Sequence, residues 1–244
     1  MHPTSHSFLT ALWDDTGIGY LYSSVLRSTI ASQAYSWEAL PLAQSSVSFT
    51  GLTGLCCEAV GGSREQAAKA ATAWNLLWMA AHLLDDVEDA TATDHAEASS
   101  RERGSTINVA TGLIISAGWA LNQVNDPQVG TQLRDDFYRT VLKMCAGQQA
   151  DLTLSEPTLE QCWQKAEAKS GLFFALACRS GGRLASANEA QIDQLSEYGL
   201  QIGILVQIWN DFSGLWPDKK GCSDLTAGGS WTLPVAYAML SRAE

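Results

Sequence analysis

Residues 71–90, ATAWNLLWMAAHLLDDVEDA, decide the fold. The first fourteen are almost wholly apolar, and the end carries Asp85, Asp86, Glu88 and Asp89. On a helix, Asp85 and Asp89 lie one turn apart on one face, with Glu88 close beside them. A tight cluster of like charges is poor for stability, because neighbouring carboxylates repel and raise one another's pKa. A hard divalent cation relieves that repulsion. Mg²⁺ takes oxygen ligands, keeps several waters, and is often held by one or two carboxylates plus substrate phosphates. The stretch therefore reads in two ways. It is a Mg²⁺–diphosphate site at the mouth of an apolar cavity, or it is a solvated acidic helix end.

Working outward, helical period and turn signals recur along the whole chain. Residues 8–33 read as a helix or helix pair broken near Thr16-Gly17-Ile18-Gly19, and 41–60 as small and apolar up to Gly61-Gly62. Ser63 then opens the long helix that runs to about Asp89. ATATDHAEASSRERGST reads as a loop able to fold over the carboxylates, with an apolar segment, 107–124, behind it. Asp126-Pro127 marks a turn. Beyond it Leu133, Phe137, Val141, Leu142 and Cys145 keep helical spacing, and Pro157 breaks the chain before a helix over 158–186. Residues 188–215 are amphipathic again, and a short closing helix starts near Pro234. No long alternating strand pattern, internal repeat or linker is visible. The expected fold is all-α: one helical bundle around a central cavity over 1–244, with 1–7 as a disordered end.

Composition narrows the function. The chain has 244 residues, 46% of them hydrophobic, which is enough for a large core. The net charge of −11 argues against nucleic acid and anionic membrane as partners. The apolar run is interrupted by Asn75 and His82 and ends in acids, so it is no membrane span. No signal peptide is visible at MHPTSHSF, and the six cysteines lack any CxxC pair. Reduced thiols in a cytoplasmic protein are expected.

A second acidic helix end occurs at QIWND, 207–211. Two such ends facing each other across a bundle could hold divalent ions between them. Basic residues able to neutralise a diphosphate stand at Arg103, Lys169, Lys219 and Lys220.

Together these segments resemble the trans-isoprenyl diphosphate synthase (polyprenyl synthetase) family over roughly 35–240. LLDDVED resembles its first aspartate-rich motif, RERGST its basic diphosphate-contacting segment, and GQQADL (147–152) a glutamine-containing part of its cavity wall. AKSGLFF resembles its Lys-Thr-Gly segment, QIWND its second aspartate-rich motif, and the stretch from Asp218 to Ala238 the segment ending in Thr-Leu-Pro. The resemblance implies a class I isoprenoid synthase bundle, a homodimer, and three Mg²⁺ ions with the diphosphate bound. It places metal ligands and catalytic groups at Asp85, Asp86, Asp89, Asn210 and Asp211. Substrate contacts fall at Arg103, Lys169, Gln207, Lys219 and Lys220.

The departures carry as much information. The family's basic segment near the N-terminus binds isopentenyl diphosphate; here it reads SWEALP (36–41), with no Lys or Arg. Trp78 stands where the family commonly has His or Gln, and Glu102 replaces one of two arginines. The second motif reads Asn210-Asp211-Phe212-Ser213-Gly214 in place of Asp-Asp-x-x-Asp, which resembles the Asn-Asp start of the second metal motif of class I terpene synthases. A diphosphate is poorly bound by Trp and Glu in place of cations. The expectation is thus a Mg²⁺-dependent terpene synthase, a lyase that ionises farnesyl or geranylgeranyl diphosphate (C15 or C20) and releases diphosphate. Trp78, Phe173, Phe174, Trp209 and Trp231 would line the cavity and face the carbocation. Small Ala80 and Ala81, with Trp74 and Leu77 deeper, favour the longer substrates. A chain-elongating prenyl diphosphate synthase and a catalytically silent partner subunit of one are the alternatives.

Overall fold

The computed structural model describes residues 7–18, 49–88, 100–216 and 231–240. Within them the chain is helical: α1 (Ser7–Asp15), α2 (Leu52–Ala59) entered through a 3₁₀ turn (Phe49–Gly51), α3 (Arg64–Glu88), α4 (Ser100–Leu121), α5 (Pro127–Thr153), α6 (Leu159–Ala166), a π turn (Glu167–Gly171), α7 (Leu172–Leu184), α8 (Glu189–Ser213) and α9 (Leu233–Leu240). The all-α expectation holds, and its boundaries have local causes. Ser63 opens α3 through a reciprocal cap with Gln66: the Gln66 N–H donates to Ser63 Oγ, and the Ser63 N–H donates to Gln66 Oε1. Asp126 caps α5 with Pro127 behind it. Thr158–Gln161 and Asn188–Gln191 form capping boxes for α6 and α8.

Two expectations change. RERGST is not loop but the first turns of α4, since Arg and Glu are good helix formers and Glu102 sits favourably in the first turn. The helix expected over 158–186 is interrupted by the π turn, whose additional residue re-aims the side chains around Lys169. The expected disordered end lies outside the described residues except for Ser7, which opens α1.

One apolar core runs through α2, α3, α4, α5 and α7, with Trp74, Leu77, Leu113, Leu133, Phe137 and Phe174 among its buried members. Trp13 of α1 docks on it, its indole N–H donating to Ser116 Oγ at 3.0 Å. α4 is long and apolar enough to cross a membrane by length and composition alone. Its Val109, Ala110, Leu113, Ala117 and Ala120 are instead buried in this core. A smaller core joins α6 and α9 through Cys162, Ala166, Leu233 and Ala236, with Ile208 of α8 against it.

Small residues set the helix spacing beside the π turn. A methyl group on Gly199 would lie 2.6 Å from the carbonyl oxygen of Phe174 and 2.8 Å from Ala175 Cα. One on Gly203 would collide with the carbonyl oxygen of Ser170 and lie 2.7 Å from Gly171 Cα. Gly147 of α5 meets Ala168 as closely. α8 and α5 thus lie directly against the π turn from two sides, which brings the chemistry-bearing ends of four helices together.

Candidate active site

The last turn of α3 presents Asp85, Asp86 and Glu88 at one end of the bundle. Lys169, in the π turn, reaches across to Asp85, its Nζ 3.2 Å from Oδ1. The same ammonium lies 3.1 Å from Asp151 Oδ2 on α5. The other Asp151 oxygen accepts from Lys165 Nζ at 2.8 Å, and Lys165 also donates to the Trp231 carbonyl at 2.6 Å. Two ammonium groups and two carboxylates therefore alternate from the interior outward. The Lys169 side chain is 17% exposed and that of Asp85 45% exposed. A charge pair with one open member can exchange partners when an anion arrives, whereas Lys165–Asp151 is enclosed and structural.

Burial pushes the Asp151 carboxyl up, but Lys169 and Lys165 outweigh it and hold the group below the usual carboxylate range. Asp86 is shifted the other way: partial burial raises it and Asp85 adds to the rise, against an opposing pull from His82. His82, one turn earlier, is pushed down by burial despite both aspartates, which favours neutral imidazole. Asp85 and Asp86 repel one another, and Lys169 beside Asp85 offsets only part of their charge. They are hard oxygen donors of the type Mg²⁺ takes, so the residues present fit that ion.

The second acidic motif is built differently. Ser170, next to Lys169, donates from Oγ to Gln207 Oε1 at 2.7 Å. Gln207 Nε2 donates to Asp211 Oδ1 at 2.8 Å, and the Leu233 N–H donates to Asp211 Oδ2 at 3.0 Å. Asp211 is 6% exposed, with each oxygen taken by a protein donor. Asn210 faces solvent beside it.

The aromatic candidates separate. Phe173 is buried and stacked on Trp74 with ring centroids 4.4 Å apart, and the Trp74 indole N–H donates to the Phe173 carbonyl at 2.8 Å. Phe174 meets Trp74 and Phe49 edge-on. Trp78 is half-buried and meets His82 edge to face at 4.9 Å. Trp209 is 42% exposed, so its indole is not enclosed within the bundle. Trp231 is half-buried, with its carbonyl held by Lys165. Arg103 is half-buried in the first turn of α4. Asp89, Lys219, Lys220, Pro41 and the rest of SWEALP lie outside the described residues.

At the level of Trp74 the interior is nearly full. The space between Ala70, Ala73, Trp74, Leu121, Leu133, Phe137, Leu176 and Ser180 is about 10 Å³, no more than one water. Asp85 lies eleven residues, or about 16 Å, further along α3 from Trp74. Asp151 and Lys165 were missed as individual residues. The only local hint was the i, i+4 spacing of Lys165 and Lys169; nothing local pairs either with Asp151.

The family profile for polyprenyl synthetase matches residues 50–244. The chain belongs to the polyprenyl synthetase family. It is 28% identical over 196 residues to the geranylgeranyl diphosphate synthase of Mycobacterium tuberculosis, covering 76% of this chain and 56% of that relative. A (2E,6E)-farnesyl diphosphate synthase of the same species is 31% identical over 123 residues, 47% of this chain and 34% of the relative. The chain thus spans about half the length of the geranylgeranyl diphosphate synthase it matches, or less of the farnesyl one. Among solved structures, the geranylgeranyl pyrophosphate synthetase of Pyrococcus horikoshii shares the fold with a TM-score of 0.68 at 26% identity, covering 83% of this chain and 65% of that one. A polyprenyl synthetase of Streptomyces coelicolor, at 24% identity, covers 78% of this chain and 59% of its own with a TM-score of 0.66. These relatives are named for making prenyl diphosphates. They support the chain-elongating alternative better than the expected terpene synthase.

Proposed function

We propose that this polyprenyl synthetase family member binds an allylic prenyl diphosphate with Mg²⁺ at the Asp85 end of α3 and acts as a prenyltransferase. The observation that carries the reading is the reach of Lys169 from the π turn to Asp85, with Asp151 holding the ammonium from behind. Asp85 and Asp86 of α3, together with Asp89, the residue after Glu88 in sequence, would hold the ions, with Asn210 of α8 contributing. Bound there, Mg²⁺ supplies charge neutralisation for the leaving diphosphate. Lys169 turns from Asp85 to the diphosphate oxygens while Asp151 limits its swing. Lys165 keeps Asp151 ionised and in place. Arg103, Lys219 and Lys220 add positive charge, and the apolar layer above Trp74 receives the prenyl chain. Farnesyl and geranylgeranyl diphosphate are the substrates proposed.

A second reading keeps the same site but has no isopentenyl diphosphate as co-substrate. It is favoured by SWEALP without Lys or Arg and by Trp78, which packs on His82 and offers no cationic group. The allylic cation would then react with its own chain or with water. Incubation with C10, C15 and C20 prenyl diphosphates and Mg²⁺, with and without isopentenyl diphosphate, separates the two. Products longer by C5 units, formed only with isopentenyl diphosphate, are the expected result. A hydrocarbon or alcohol from the allylic substrate alone would overturn the transferase reading in favour of the second.

A further inference from the structure

The start of α9 has an unusual cap. Thr232 stands at the position where a Thr side chain ordinarily caps a helix, yet its Oγ1 is buried with no hydrogen-bond partner. Pro234 brings no N–H. Of the N–H groups left without intrahelical partners in this first turn, that of Leu233 is accepted by Asp211 of α8 at 3.0 Å. The preceding carbonyl, that of Trp231, accepts from Lys165 at 2.6 Å. Two charged side chains from α8 and α6 thus grip the same three-residue entry to α9. Leu233 and Ala236 are buried beneath it against Cys162 and Ala166.

We infer that Asp211 is a positioning residue, a cap supplied by α8 to α9, and not a metal ligand. Its other oxygen continues the connection through Gln207 to the Ser170 hydroxyl, next to Lys169. Docking of α9 and the setting of the Lys169 turn are therefore coupled through one chain of hydrogen bonds. This assignment concerns the metal site of the proposed function and rests on that reading for its metal arm alone.

Asp211→Asn and Asp211→Ala divide the two roles. An asparagine can still accept from Leu233, and its amide can donate to a flipped Gln207, whose own amide then donates to Ser170 Oγ. The chain reverses polarity and survives. In the full-length protein, hydrogen exchange over Leu233–Leu240 and binding of Mn²⁺ alone, followed by electron paramagnetic resonance, are measured for both variants. Asp211→Ala is expected to speed exchange across α9 by about fivefold or more, as loss of a cap does. Asp211→Asn is expected to restore protection and to bind Mn²⁺ within about threefold of the unmodified chain, because an amide still fills the cap and no ligand has been lost. A fall in Mn²⁺ affinity of about tenfold or more in Asp211→Asn, with α9 still protected, would make Asp211 a metal ligand and overturn the proposal. Unchanged α9 exchange in a folded Asp211→Ala would overturn it as well. Absence of Mn²⁺ binding in the unmodified chain would sink the proposed metal site instead, with the exchange comparison still judging the cap.

Discussion

The two acidic helix ends look alike in sequence and differ in structure. At the end of α3, Asp85 is nearly half exposed and shares one ammonium, Lys169, with Asp151. At the end of α8, Asp211 is buried and both of its oxygens are committed to amide donors. An open carboxylate paired with a movable cation can take a metal when a diphosphate draws the cation away. A buried carboxylate satisfied by a backbone N–H and a glutamine gains little by leaving them. An apolar helix ending in acids is thus a pattern whose role depends on which donors pack against it.

The sharpest way to break this contrast is Asp85→Ala. Diphosphate release from an allylic substrate is expected to fall by about 10²-fold or more, as when a charge-stabilising group is removed from an active site; retained release would refute the metal assignment. Asp151→Ala comes next, and acts on stability. It leaves the enclosed Lys165 unpaired, and loss of about 3 kcal/mol or more is expected in urea unfolding. A loss below about 0.5 kcal/mol would show that Lys165 finds water or another partner and that the pair is not enclosed. Gly203→Ala drives a methyl group into the backbone of the π turn. It should cost about 1–3 kcal/mol, and metal-free Asp85→Ala should shift stability by less than about 1 kcal/mol, since losing the half-exposed pair with Lys169 offsets the relieved repulsion with Asp86.

The pH dependence is a subtler test. The Asp151 carboxyl lies below its unfolded value, so its contribution to stability is fully present above about pH 4. That contribution is lost as pH falls through the depressed folded value. Unfolding followed from pH 7 down to about pH 2 should show this loss, and Lys169→Met should shrink it because one of the two stabilising cations is gone. An acid profile unaltered by Lys169→Met would mean that Lys165 alone sets the Asp151 carboxyl. The smallest effect belongs to Trp209→Ala, expected to cost about 1 kcal/mol or less because the ring is only partly covered.

Much of the fold was readable because its causes are local. Ser63, Asp126-Pro127, Thr158 and Asn188 mark helix starts through hydrogen bonds to residues two or three positions away. RERGST was misread because a polar, Gly-containing run resembles a loop, although one glycine is tolerated in a helix. The π turn was not readable, since its geometry goes with contacts from Gly147 and Gly203, both distant in sequence. Among candidate site residues, Asp85, Lys169 and Gln207 are expected from motif and resemblance; Lys169 pairs with Asp85, and Gln207 accepts from Ser170, the chain neighbour of Lys169. Phe173 and Phe174 were chosen as aromatic, which does not distinguish a cavity wall from the stacked interior where they lie.

By itself the sequence determined the helical class, most helix starts and the acidic end of α3, because periodicity, capping and the clustering of like charges act over a few residues. Only the tertiary structure decided which charges are shared and which are spent. Lys169 meets Asp151 eighteen residues away, Lys165 meets the Trp231 carbonyl sixty-six away, and Asp211 caps a helix that starts twenty-two residues later. Those pairings follow from how closely small residues let the helices approach, and that is a property of the packed bundle.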